Sequence, residues 1–251
     1  MSTLPHVLGA SSWVDRSLDD FTIVDLIAAT TFAFNAALIV RRPDHWKHYT
    51  VVGIILFALI GGVAGGVSRD LLLGKVPAAL SNPLYLVLPV AAALLAIRID
   101  YRAGQRFREG LYQFVTSLAA PWYAAVGANA ALGAGLPYLA AVVLGVTSAT
   151  AGPYIVDLTA GVTPKHFVRG EWFVGTAVLA SVVYVVCDAG RGLSIWPATL
   201  ISFTIGFVFR YAAMLLQWEE PEPWAPPELA TEGERPRIQD QLRAEFHSDD
   251  R

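Results

Sequence analysis

The residues of this 251-residue chain best equipped for chemistry are a few charges set in apolar surroundings: Arg69 and Asp70 in GGVSRDLLLGKVP, and Asp157 in GPYIVDLTAGVTP. An ionised side chain at the centre of a lipid bilayer costs roughly 2.5–3.5 kcal/mol on insertion scales, so such residues face an aqueous path or pair with one another. Arg69 and Asp70 admit a second reading, in which both lie near an interface and reach for the headgroups. Asp157 resists it, because its side chain is short and no base lies within one helical turn. Beside these charges stand the hydroxyls of Ser68, Thr147, Ser148 and Thr150. Hydroxyls and freed backbone carbonyls can replace part of an ion's hydration shell.

Other chemistries find little support. The five histidines fall in loops or in the tail, with no spacing suited to a metal. Cys187 is the single cysteine and lies in an apolar stretch, which excludes an internal disulfide and a cysteine-based metal cluster. There is no nucleotide-binding loop and no Ser/His/Asp order. The expectation is therefore a protein that is not an enzyme, with no catalytic residue, no metal and no nucleic-acid partner.

The elements that position these groups follow from composition. Hydrophobic residues make up 55% of the chain and charged ones 16%, and the mean hydropathy is +0.48. A water-soluble core cannot absorb that much apolar surface, so lipid is the expected solvent. Seven segments are apolar enough to cross, at about 21–40, 49–74, 83–97, 112–132, 137–161, 171–189 and 195–217. All seven read as helices, since an open sheet would leave backbone groups unpaired in hydrocarbon. Asp15, Asp19 and Asp20 precede the first segment, the wrong charge for a signal peptide, so it is kept as a mature helix.

Positive charge orients the spans. Arg41, Arg42, Lys47, Arg98, Arg102, Arg106, Arg108, Lys165 and Arg169 follow spans one, three and five, against Arg16, Arg69, Lys75 and Arg191 on the other side. The bias predicts an N-terminus outside and a C-terminus in the cytoplasm, in a plasma (inner) membrane. After Trp218 the chain turns proline-rich and acidic, and residues 218–251 are expected to be a disordered cytoplasmic tail.

Sliding the sequence by 87 residues lays Gly65 on Gly152, Asp70 on Asp157, Gly74 on Gly161, Pro77 on Pro164 and Tyr85 on Trp172. The chain is thus expected to be duplicated. Three spans are an odd number, so the second copy must sit upside down. The predicted architecture is an all-α membrane protein with an outside segment 1–20, a first three-helix repeat 21–110, an inverted repeat 111–190 and a seventh helix 191–217. Inverted repeats of this kind carry solute paths through the membrane midplane.

Both copies are expected to be interrupted halfway across. Gly61, Gly62, Gly65 and Gly66 sit near the middle of the second span, and Gly152 and Pro153 in the fifth. Glycine weakens a helix by about 1 kcal/mol relative to alanine, and proline removes a backbone donor. A kinked or unwound second and fifth helix with a polar cavity between them is the prediction. Close helix packing through the pairs Gly61/Gly65 and Gly62/Gly66 is the simpler alternative. Asp25, Thr30, Thr31, Asn35, Asn129 and Thr176 are expected to hydrogen-bond between helices.

The motifs TFAFNAAL (31–38), GGVSRDLLLGKVP (65–77) and the second copy through Pro164, Glu171 and Trp172 resemble the prokaryotic trimeric intracellular cation (TRIC) channel family. The resemblance covers residues 21–215. It implies a homotrimer with one pore per protomer, lined by the second and fifth helices and carrying monovalent cations, potassium chiefly. Gly65, Gly66, Arg69 and Asp70 match the first motif, and Gly152 and Asp157 the second. Val156 stands where the family often has a base, Ala151 and Pro153 flank Gly152, and Asn35 replaces a small hydroxyl residue. No cofactor is implied beyond the permeant potassium ion, with membrane lipid left open as a ligand. A secondary transporter for a small solute such as an amino acid is the competing expectation.

Overall fold

A computed structural model of the chain describes residues 19–40, 49–98, 105–164, 166, 172–218 and 220. The expectations for the N-terminal segment before Asp19, for most of the basic loop residues and for the tail after Glu220 fall outside the described residues. Among those described there is no strand. The helices are α1 (Asp20–Ile39), α2 (Val51–Leu72), α3 (Ala78–Ser81), α4 (Leu84–Arg98), α5 (Gln105–Gly133), α6 (Tyr138–Ala160), α7 (Phe173–Arg191) and α8 (Ile195–Leu215). Apart from the four-residue α3, they correspond one for one to the seven expected spans. Five of them, α1, α2, α6, α7 and α8, are long and apolar enough to cross a membrane. The 15-residue α4 is apolar but shorter, and α5 runs 29 residues with Pro121 inside it.

Local chemistry sets the helix ends. Asp19 caps α1 by accepting from the Thr22 amide at 2.9 Å, and Thr50 caps α2 by accepting from the Gly53 amide at 3.1 Å. The two copies finish their central helices alike. Gly74 and Gly161 adopt φ of 66° and 73°, a left-handed conformation that costs other residues more. The carbonyls of Asp70 and Asp157 then accept from Lys75 and Val162, each at 2.9 Å, the closing bond expected where a helix ends in such a glycine.

Within the first repeat α1, α2 and α4 pack on one another, and within the second α5, α6 and α7 do the same. Across the repeats α2 lies against α6 and α1 against α5, while α8 lies against α5 and α7. The fold is the inverted duplication plus a seventh helix. Its interior is rich in alanine, with Ala28, Ala33, Ala37, Ala58, Ala93, Ala124, Ala128, Ala177 and Ala180 all buried. In lipid, such small residues let helix backbones approach and gain dispersion contacts.

Of the two forms expected for the second and fifth helices, kinked or unwound, the unwound one does not occur. The glycine run of α2 and the Gly152–Pro153 step of α6 are helical throughout, so neither helix unwinds, and any bend is absorbed within continuous helix. The reason lies in their neighbours. A Cβ at Gly61 would collide with the Ala36 methyl, one at Gly62 would lie 2.7 Å from the Ala29 carbonyl, and one at Gly65 would overlap the Ser148 carbonyl. From the other side, a Cβ at Gly152 would lie 2.7 Å from the Gly61 carbonyl. Tertiary packing overrides the weak intrinsic helix preference of glycine.

Candidate functional site

Two of the charges singled out in the sequence, Arg69 and Asp70, converge with one residue that stood apart from them. Arg69, only 1% exposed, leaves α2 toward α1 and forms a two-pronged pair with Asp25. Its Nη1 donates to Oδ1 at 2.9 Å and its Nη2 to Oδ2 at 3.0 Å. Its Nε donates to Asp70 Oδ1 at 2.8 Å. The second oxygen of Asp70 accepts from the Ala78 amide at the start of α3, at 2.9 Å. Asp25 Oδ2 also accepts from the Tyr85 hydroxyl of α4 at 2.7 Å, and the Phe21 ring centroid lies 5.2 Å from the guanidinium carbon. The interface-anchor reading of Arg69 fails, since the side chain is buried and its three nitrogens are engaged by acids.

Parallel guanidinium–carboxylate bonds are among the strongest hydrogen bonds a protein makes. In a dry interior they offset a desolvation cost of several kcal/mol per ion only when the remaining polar atoms are also bonded. Tyr85 and the Ala78 amide supply those bonds. With two carboxylates against one guanidinium, the cluster carries a formal charge of −1.

Next to it, a cavity of about 360 Å³ is lined by Arg69, Asp70, Lys75, Ser81, Asn129 and several apolar residues, Phe21 among them. Asn129 is held from behind, its Oδ1 accepting from the buried Tyr184 hydroxyl at 2.7 Å. The cavity therefore joins the end of α2 to the end of α5.

The other sequence candidates sit elsewhere. Ser148 is buried, with its carbonyl against Gly65 of α2 and its side chain against Gly127 of α5. Thr147, Ser148 and Thr150 each donate their hydroxyl to the carbonyl four residues back, at 2.9, 2.7 and 2.8 Å. Ser68 and Gly66 are half-buried on α2, and Pro153 half-buried on α6. Asp157 is buried at the end of α6, at the position in the second copy that Asp70 holds in the first. The cluster itself is not duplicated: Arg69 corresponds to Val156, whose methyl would meet a Cβ on Gly61 at 3.3 Å, and Asp25 corresponds to Tyr112.

Of the lesser polar residues, Asn35 does bond between helices, accepting from Thr116 at 3.0 Å. Thr30 and Thr31 instead bond back within α1, each at 2.7 Å, and Thr176 bonds to the carbonyl of Trp172. Among the described residues no group of three or more His, Cys, Asp or Glu could hold a metal ion.

The model of the glycine transporter family matches this chain twice, over residues 22–101 and again over 113–189. The chain belongs to that family. The two matches fall on the two repeats. Among its relatives, a UPF0126 membrane protein of Deinococcus radiodurans is 32% identical over 158 residues, covering 62% of this chain and 71% of the relative. The inner membrane protein YadS of Escherichia coli is 21% identical over 192 residues, covering 76% and 90%.

Solved structures extend the likeness to the whole fold. A TRIC cation channel superposes with a TM-score of 0.70 at 25% identity, covering 82% of this chain and 98% of the channel. The trimeric intracellular cation channel orthologue of Rhodobacter sphaeroides gives 0.70 at 26% identity, covering 78% and 98%. This member of the glycine transporter family has the fold of the prokaryotic TRIC channels.

Proposed function

We propose that the chain is a homotrimeric channel for monovalent cations, potassium chiefly, with one path per protomer between α2 and α6. The observation that carries this reading is the Asp25–Arg69–Asp70 cluster beside its cavity. The cavity sets the Asp70 carboxylate and the side-chain oxygens of Ser81 and Asn129 along one space, with Arg69 and Lys75 beside them, and oxygens of this kind can replace part of a cation's hydration shell. The TRIC fold, shared at 25–26% identity with channels covered almost end to end, supports the same reading. Asp157 adds a second buried acid toward the far end of the path, and Arg69 tempers the occupancy of the first. The proposed orientation, N-terminus outside and C-terminus cytoplasmic, rests on the loop charges alone.

A second reading has an observation of its own. The seam between α2 and α6 is closed at Gly65–Ser148 and Gly61–Gly152 while the cavity is partly open, the geometry of a carrier loaded from one side. With the family match, this favours a secondary transporter for a small solute such as an amino acid. Recording from purified protein in a planar bilayer separates the two: discrete potassium currents support the channel, and electrical silence with saturable solute uptake into liposomes supports the carrier.

A further inference from the structure

Tyr123 belongs to no charge pair, yet it is among the largest fully buried side chains. It projects from α5 to the glycine run of α2, where its hydroxyl donates to the Gly62 carbonyl at 2.6 Å. The next turn faces the same oxygen: a Cβ on Gly66 would lie 3.7 Å from it. Gly62 O and Gly66 N are the acceptor and donor of one α-helical bond. A single phenol thus bonds the acceptor of one rung of α2 and lies beside the residue that supplies its donor. Helices bend where a side chain enters the ladder, and glycines at that rung add little resistance. Phe32 holds the Tyr123 ring from the other side, with centroids 5.1 Å apart, so the hydroxyl is fixed in place.

At the same level α2 meets α6 almost backbone to backbone, with Gly65 against the Ser148 carbonyl. We infer that Tyr123 is a latch: its hydroxyl holds the Gly62–Gly66 turn of α2 in the closed seam against α6, and release of that bond lets the turn bend away and open the path. The path is the one in the proposed function, but the latch itself does not depend on which solute crosses.

The test uses the full chain in liposomes with Cys187→Ala and Val156→Cys, so that the only thiol lies in the seam, on the α6 side chain that faces Gly61 of α2. Tyr123→Phe removes the hydroxyl and keeps the ring. A neutral hydrogen bond is worth roughly five-fold in a two-state equilibrium, so the rate of labelling by a water-soluble methanethiosulfonate and the potassium flux should each rise about five-fold. A merely structural role would lower the melting temperature without changing the labelling rate per folded molecule. Gly66→Ala, whose methyl meets nothing closer than 3.7 Å, stiffens the turn and should slow labelling by about five-fold. An unchanged or slower rate in Tyr123→Phe overturns the latch; should that variant not fold, an unchanged rate in Gly66→Ala overturns it. Faster labelling without potassium flux keeps the latch and removes the channel reading.

Discussion

Arg69 and Asp25 lie 44 residues apart in the chain and meet inside the bundle through two nearly parallel bonds of 2.9 and 3.0 Å, tying α2 to α1. Removing one member strands the other in a medium that cannot solvate it. Asp25→Ala is expected to cost about 3–5 kcal/mol, read as a fall in thermal midpoint in detergent. The double variant Asp25→Asn/Arg69→Gln removes both formal charges and should recover more than half of that loss. Equal losses in the single and double variants would mean that the pair is not what stabilises this corner.

Tyr85 completes the solvation of Asp25 from α4 at 2.7 Å. A hydrogen bond to an ionised group is worth about 1.5–3 kcal/mol, so Tyr85→Phe should destabilise by that amount while leaving the ring packing intact. In the Asp25→Asn background the same substitution should cost less than half as much, because the acceptor is then neutral. A double-mutant cycle measures the difference.

Much of this arrangement was legible in the chain. The 87-residue offset fixed which helices correspond, and Gly74 and Gly161 end theirs with the same turn because both sequences place glycine where φ must be positive. Asp25 escaped notice as the counter-ion of Arg69 because nothing in its own segment marks it. Only the approach of α1 to α2, which Ala29 and Ala33 allow against Gly62, brings the two together. The glycines misled in the opposite direction. Local propensity reads them as breaks, whereas their use against Ala36, Ser148 and Gly152 is a property of surfaces that meet only in the fold.

The seam therefore makes its own prediction. Gly65→Ala drives a methyl into the Ser148 carbonyl, and Gly61→Ala drives one into Ala36. Overpacking of this kind typically costs 1–3 kcal/mol, so both variants should melt at lower temperature, while Gly66→Ala, one position along, should not. Equal tolerance at Gly61, Gly65 and Gly66 would show that α2 is not pressed against its neighbours as described.

Asp157 gives a separate test of the proposed path. Asp70 also holds Arg69 and the Ala78 amide, so its removal mixes electrostatics with folding. Asp157, buried at the end of α6, lies in the copy that has no arginine at the matching position, where Val156 stands. A charge focused by low-dielectric walls changes local ion concentration and access by about ten-fold or more. Asp157→Ala should accordingly reduce single-channel potassium conductance by about ten-fold while the oligomer elutes unchanged from a sizing column. Asp157→Glu, which keeps the charge on a longer stem, should retain most of the current. Conductance equal to that of the unaltered protein in Asp157→Ala would take this acid out of the proposed ion path.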